Sequence, residues 1–238
     1  MTRLLFLIAA TTACTFAQAP KTAPPTPPPG GPAARPDGLY AVMKTSMGDV
    51  TIQLFEAQTP VAVQNFVALA KGTKAWKDPK TKAMVRRPLY NGLTFHRVMA
   101  DGIVQAGDPT GNGDHDCGVT IKDEIRPDLK FDKAGRLALA LADNQPNTGG
   151  CQWFITANQS IPSYDGKYTI FGQVVDGLQV VKSISLLSGT PLPNGGTKPS
   201  FGVKIIGVTI QRVGPVPATS TTKKSTPAAK KSAAPAKQ

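Results

Sequence analysis

Apolar and polar residues alternate along two short runs, residues 40–46 and 49–55, with the break between them at Met47-Gly48. Period-two alternation puts every second side chain on one face, so these runs read as a hairpin with one buried side. The period then changes. Thr59 and Pro60 open a segment whose apolar residues Val61, Phe66, Leu69 and Ala70 recur at helical spacing and stop near Gly72. This predicts a helix with those four residues in the core. Residues 71–87 are charged and largely polar, with Trp76 and Pro79 among them, and predict a loop. Further strands are predicted at residues 93–98, 103–105, 136–140, 152–156 and 170–174, then a second helix over 177–185 and a last strand over 203–212. Many short strands with two helices describe a mainly β domain.

Two of the strand segments carry unusual polar residues. Segment 95–108, FHRVMADGIVQAGD, holds Arg97 in an apolar run and, eight residues later and of the same parity, Gln105. Both side chains therefore share one face. Segment 147–155, NTGGCQWFI, sets Gln152 and Phe154 two apart, directly after a Gly-Gly turn where backbone can approach closely. Trp153 has the opposite parity and is assigned to the core. An arginine, amides and a phenyl ring can line one apolar site. No convincing nucleophilic triad or ligand cluster accompanies them: Asp114, His115, Asp116 and Cys117 crowd one loop, and no second cluster completes a metal site. His96 reads as a structural partner and His115 as a loop residue. No cofactor and no metal are expected.

Charge changes the picture less than its total implies. The chain of 238 residues has a formal net charge of +12, but Lys223, Lys224, Lys230, Lys231 and Lys237 lie in a terminal stretch without acids. Residues 39–213 hold 19 basic and 14 acidic residues, so the basic balance says little about that portion's own ligand. One domain of ordinary size with extensions is expected, bounded at 39 and 213. Residues 1–19 read as an export signal: Arg3 is the positive start, Leu4 to Ala10 the apolar stretch, and small residues follow. That stretch is far short of a membrane span. A rival reading takes Thr11-Thr12-Ala13-Cys14 as a poor lipobox with Cys14 lipidated. Residues 20–38 contain PPTPPPGGP and predict an extended linker, while 214–238, without an aromatic residue, predict a disordered basic tail that touches polyanions or is simply solvated. The protein is thus expected outside the cytoplasm, periplasmic or secreted.

Together the two segments resemble the cyclophilins, the peptidyl-prolyl cis/trans isomerases. The resemblance runs over about residues 39–212 and includes VMKTSMGDVTIQLF, TPVAVQNFVALAKG, RPLYNGLTFHRV and DGKYTIFGQVVDGLQVV in the family's order. It implies a closed eight-stranded antiparallel barrel with two capping helices, and it makes 71–87 an insertion of bacterial-type members. It also implies rotation of X-Pro bonds in proline-containing polypeptides, by a monomer, without a cofactor. Such rotation passes a twisted state about 18–20 kcal/mol up, where the proline nitrogen regains a lone pair. A fixed guanidinium can donate to that nitrogen, an interaction nearly absent from the planar ground state. By resemblance Arg97 has this role and Phe154 is the floor of the proline pocket. Ile103 lies beside Phe154, where methionine is usual; Gln105 and Gln152 hold the substrate backbone, and Ala142 and Asp143 present main-chain groups. Tyr164 and Tyr168 replace a leucine and a histidine, and Ser163 the tryptophan that supports cyclosporin binding. One departure is serious: Gly102 falls where the family has a phenylalanine wall, which implies lower activity or altered preference for the residue before proline. A proline-peptide binding or holdase module with weak turnover is therefore an alternative, and a basic envelope or nucleic-acid tether acting through the tail is another. In an oxidising compartment the pair Cys117 and Cys151 suggests a disulfide; the resemblance puts their loop and turn side by side at the groove's rim, the alternative being two free thiols.

Overall fold

The computed structural model describes residues 35–114, 117–158, 160–193 and 195–216. The export signal, Cys14, most of the linker, His115, Asp116 and nearly all of the basic tail lie outside the described residues. Strands β1 (Gly38–Thr45) and β2 (Gly48–Leu54) form the expected hairpin, with Thr45 facing Gly48 and Leu39 facing Leu54. The turn is tied by the Thr45 hydroxyl, which donates to the Gly48 carbonyl at 2.7 Å and accepts from the Met47 N–H at 3.1 Å.

Helix α1 (Pro60–Lys71) begins where Thr59 and Pro60 place it. Its first N–H groups, those of Val61 and Ala62, donate to the Glu124 carboxylate at 3.1 and 2.9 Å. A negative group there satisfies orphan donors and complements the helix dipole. Ala62, Val63, Phe66, Leu69 and Ala70 form the buried stripe. Val61, expected in the core, is instead 44% exposed. At 100° per residue it lies well off the direction shared by Val63, Phe66 and Ala70.

The predicted loop 71–87 contains a small hairpin of its own, β3 (Trp76–Lys77) with β4 (Met84–Val85). Trp76 is fully buried, donates from its indole N–H to the Arg87 carbonyl at 2.9 Å, and is covered by the Arg87 guanidinium 4.7 Å from the ring centre. Two-residue strands are too short for a period to show, which is why the sequence read as loop.

The rest of the chain supplies β5 (Arg97–Val98), β6 (Ile103–Ala106), β7 (Arg136–Leu139), β8 (Trp153–Thr156), β9 (Ile170–Asp176), α2 (Leu178–Ser185), β10 (Gly189–Pro191), β11 (Thr197–Pro199) and β12 (Ile205–Val213). One antiparallel sheet runs β10-β11-β5-β6-β8-β7-β9-β2-β1-β12. Among the described residues it has ten strands where eight were expected; β10 and β11, in a Gly/Pro-rich stretch, carry no alternation to announce them. Most of residues 93–98 is not ladder either. Ahead of β5 there is an isolated bridge, Thr94 to Lys204, flanked by Phe95 N–H to Val203 O at 3.2 Å and Ile205 N–H to Leu93 O at 2.7 Å.

The sheet separates two apolar clusters by side-chain parity. Val104, Ala106, Leu137, Leu139, Trp153 and Ile155 join the α1 residues in the main core, where Trp153 meets Phe66, Tyr90 and Phe95 edge-on at 6.0–6.4 Å. The alternate residues Ile103, Ala138 and Phe154 face the other way, with Ile170 and Phe131. The functional groups sit over this second, smaller cluster.

Candidate active site

A single row of paired residues crosses the sheet: Arg97 faces Gln105, Gln105 faces Phe154, Phe154 faces Ala138, and Ala138 faces Ile170. Paired residues in an antiparallel sheet project to the same side. The guanidinium, the amide and the ring are therefore neighbours because of register, not because of loop placement.

Arg97 is held from several directions. Its Nε donates to the Gly195 carbonyl at 2.8 Å, Nη1 donates to Gln105 Oε1 at 3.0 Å, and Nη2 lies 3.6 Å from Met99 Sδ. Gln105 Nε2 passes the chain on to Gln152 Oε1 at 3.0 Å, and Gln152 Nε2 donates to the Gly113 carbonyl at 2.9 Å. The Gly195 carbonyl comes from the turn between β10 and β11, the two strands absent from the sequence reading. At Gly196 a side chain would collide with Met99 and the Val98 carbonyl, and φ is +82°, so glycine is what lets this turn lie against β5.

Phe154 forms an aromatic floor with three other rings. Phe131 stacks on it at 5.9 Å, while Tyr164 and Tyr168 present edges at 5.9 and 5.3 Å. Phe131 was not singled out from sequence; it stands alone between polar neighbours, with no period to mark it. Its N–H donates to Asp165 Oδ1 at 2.7 Å and its carbonyl accepts from the Ile161 N–H at 2.8 Å, so the strand-free segment 129–131 is fixed against the 161–165 turn. Met99 packs against the same cluster, next to Gly102.

Residues 142–144 make a 3-10 turn in which Asp143 and Asn144 have φ of 48° and 57°. The Thr148 hydroxyl accepts from the Ala142 N–H at 2.9 Å and donates to the Gln145 carbonyl at 2.6 Å, and the Tyr168 hydroxyl donates to Asn144 Oδ1 at 2.8 Å. The Asp143 side chain is exposed. A disulfide joins Cys117 to Cys151, both of which also face the groove. Beside it Gly150 lies so close to the Val119 carbonyl that no side chain fits, and its own carbonyl accepts from Asn65 Nδ2 at 2.7 Å. Cys117, one of the four loop residues weighed as metal ligands, is thus committed to sulfur.

These parts enclose a groove of about 660 Å³. Arg97, Ile103, Gln105, Ala142, Asp143, Gln152, Phe154, Tyr164 and Tyr168 all line it, as do Cys117 and Cys151. Behind it His96 is buried, and neither ring nitrogen finds a hydrogen-bond partner among the described residues. Burial pushes its imidazolium down to about 4, against the opposing pull of Asp108. For Asp108, burial pushes upward but hydrogen bonds from Thr110, Gly113 and Asn112 outweigh it and hold the carboxyl below its ordinary value.

The model of the cyclophilin type peptidyl-prolyl cis-trans isomerase family matches residues 40–210. The chain belongs to that family. This cyclophilin is 39% identical over 172 residues to the probable peptidyl-prolyl cis-trans isomerase A of Mycobacterium leprae, covering 71% of this chain and 91% of the relative. It is 38% identical over 173 residues to the peptidyl-prolyl cis-trans isomerase B of Streptomyces anulatus, with 73% and 97% covered. Among solved structures it is similar to a Cryptosporidium parvum cyclophilin type isomerase crystallised in the presence of the dipeptide Ala-Pro. The TM-score is 0.61 and the identity 32%, with 73% of this chain and 99% of that one covered. The cyclophilin is an isomerase, and its reaction is peptidyl-prolyl cis/trans isomerisation.

Proposed function

We propose that the groove binds an extended X-Pro segment and that Arg97 is the group that lowers its rotational barrier. The observation that carries this is the fixed guanidinium in register with an aromatic floor. The proline ring rests on Phe154, flanked by Ile103 and the two tyrosine edges. As the amide twists, the proline nitrogen becomes pyramidal and accepts a hydrogen bond from Arg97. The planar reactant cannot accept it, so the bond stabilises the twisted state selectively. Pre-organisation matters because the arginine need not be ordered during the reaction. Gln105 spends its carbonyl on Arg97 and donates from its amide nitrogen to Gln152, so its main part is to hold the guanidinium. Gln152, just ahead of β8, accepts from Gln105, donates one amide hydrogen to Gly113 and keeps the other for the substrate backbone, and the main chain at Ala142 and Asp143 aligns the peptide.

Gly102 favours a weaker version of this reading, in which proline segments are bound and turned slowly. A side chain at Gly102 would first meet Met99, whose own side chain already packs against the Phe154 cluster. Met99 and Tyr164 thereby supply wall where a phenyl is absent. The reading of a closed eight-stranded barrel rests on the Thr94–Lys204 bridge and its flanking bonds, which join the segment before β5 to the start of β12. The bacterial-type assignment is supported by the insertion at 71–87. Export and polyanion contact by the tail rest on the sequence pattern of residues 1–19 and 214–238, and a monomeric state on the resemblance to the family.

Cis/trans exchange of a short X-Pro peptide, followed by NMR with wild type and Arg97→Ala, tests the assignment. We expect kcat/KM to fall about 100-fold or more, the scale set by loss of one transition-state hydrogen-bond donor. A folded Arg97→Ala protein that turns peptide as fast as wild type overturns Arg97's role. A folded wild type that binds proline peptide without catalysis leaves the binding module in its place.

A further inference from the structure

The positive charge of the folded domain is not spread over it. Residues 71–87 hold seven lysines and arginines and one aspartate, whereas the remainder of 39–213 holds twelve cationic and thirteen anionic residues. The β3–β4 hairpin and its flanks thus carry the whole surplus on an otherwise nearly neutral body. Arg87 pairs with Asp78 and stacks on Trp76, Lys74 donates to Asn65 Oδ1 at 2.6 Å, and Arg86 Nη1 donates to the Thr73 carbonyl. Lys71, Lys80, Lys82 and Arg86 are exposed and belong to none of the ion pairs among the described residues.

The hairpin is built onto the substrate groove. The Lys77 N–H donates to the Cys117 carbonyl at 2.8 Å, and a Cβ placed on Gly118 would lie 3.3 Å from Lys77 Cβ and 3.5 Å from Met84 Sδ. Cys117, Val119 and Thr120 line the groove. Ile121 lines a second cleft of about 390 Å³ with Lys74, Arg86, Thr73, Gln64 and Val61. Over residues 119–121 the chain therefore passes from lining the substrate groove to lining a cationic cleft. Three extended residues span about 10 Å, so a client chain crossing that rim reaches the cleft within a few residues of its proline.

We propose that the hairpin and this cleft dock an acidic segment of the same client polypeptide whose X-Pro bond lies in the groove. This rests on the groove being the proline site. The charge complement is an anionic chain, and contiguity with a peptide groove favours polypeptide over the other polyanions. Single-stranded nucleic acid needs exposed aromatic rings for base stacking, and the hairpin's single aromatic residue, Trp76, is buried. Attachment to an anionic membrane needs a broad apolar face beside the cations, and the hairpin exposes Met84 as its one large apolar side chain.

The test uses the full chain and a variant, Lys71→Gln, Lys80→Gln, Lys82→Asn and Arg86→Gln. Asn suits position 82, where φ is +62°. Lys74 and Arg87 are left in place because they pair with the buried side chains of Asn65 and Asp78. The smaller Lys80→Gln, Lys82→Asn pair serves if the fourfold variant unfolds. Substrates are one X-Pro core with four glutamates, or four glutamines, joined through a Gly-Ser spacer at either end. The expected result is a preference of about tenfold in kcat/KM for one glutamate peptide, abolished by high salt and by the variant. Turnover of the glutamine peptides stays unchanged. Equal turnover of both peptides by wild type overturns the proposal, as does a preference that survives in the variant, which assigns it to the tail. Hairpin-dependent binding of poly(dT) or of phosphatidylglycerol vesicles as tight as that of the acidic peptide overturns it in favour of a general polyanion site. Fluorescence anisotropy of a labelled proline-free glutamate peptide separates this inference from the isomerase reading. Hairpin-dependent binding there, without turnover of any X-Pro peptide, retains the docking surface and removes the enzyme.

Discussion

Replacing Gln105 by leucine tests whether Arg97 works as a held group or merely as a nearby charge. Gln105→Leu deletes the 3.0 Å bond from Arg97 Nη1 and the 3.0 Å bond to Gln152, and leaves the contacts of Arg97 with Gly195 and Met99 in place. A hydrogen bond to a charged group is worth about 1.5–3 kcal/mol, and the lower figure applies in a groove open to water. If that energy is what holds the guanidinium in place, about 1.5 kcal/mol appears in the barrier, slightly more than a tenfold loss of kcat/KM. Gln152 Oε1 turns to water at little cost. The assay is NMR exchange on one X-Pro peptide with wild type, Gln105→Leu, Arg97→Ala and the double variant. Because Gln105 acts largely through Arg97, the double variant should match Arg97→Ala within about twofold. A further tenfold drop in the double variant refutes the reasoning and makes Gln105 a substrate contact independent of Arg97.

Phe131→Ala removes the ring stacked under Phe154 and should lower unfolding free energy by about 3–5 kcal/mol in urea titration, with KM for the peptide raised. Reducing the Cys117–Cys151 bond, which spans 34 residues, should cost about 4 kcal/mol on the loop-entropy account, read as a lower urea midpoint. His96 is neutral in the native state down to about pH 4, while in the unfolded chain it takes up a proton near 6.5. The unfolded state therefore binds more protons between those values, so stability is full above pH 6.5 and falls by roughly 3 kcal/mol as pH drops to 4. His96→Gln should flatten that slope in urea titrations from pH 7 to 4.5; a slope unchanged by the substitution would place the titrating group elsewhere.

What the sequence disclosed about the fold follows from which interactions leave a period. The long strands β1 and β2 carry the alternating runs 40–46 and 49–55, and α1 shows its stripe, so these were legible. Val61 was misread because apolar identity was counted without its angle around the helix. β3, β4, β10 and β11 are two or three residues long, and their pairing is set by turns and glycines; no period exists over that length.

The site divides the same way. Arg97, Gln105 and Phe154 could be read together because side-chain parity within β5, β6 and β8 is a property of local sequence, and register then aligned them in one row. What fixes their geometry is non-local. Gly195 lies 98 residues beyond Arg97, Gly113 lies 39 before Gln152, and Phe131 reaches Phe154 from a segment without strand structure. The outer face of the sheet explains the division. A side chain pointing into the main core is constrained by dense packing whatever its distant neighbours are, whereas a groove over a small aromatic cluster needs loops to supply its walls. Arg97 can be oriented only by groups that arrive from outside its own strand. The arginine's identity is thus written in β5, and its orientation is written in the β10–β11 turn and in Gln105.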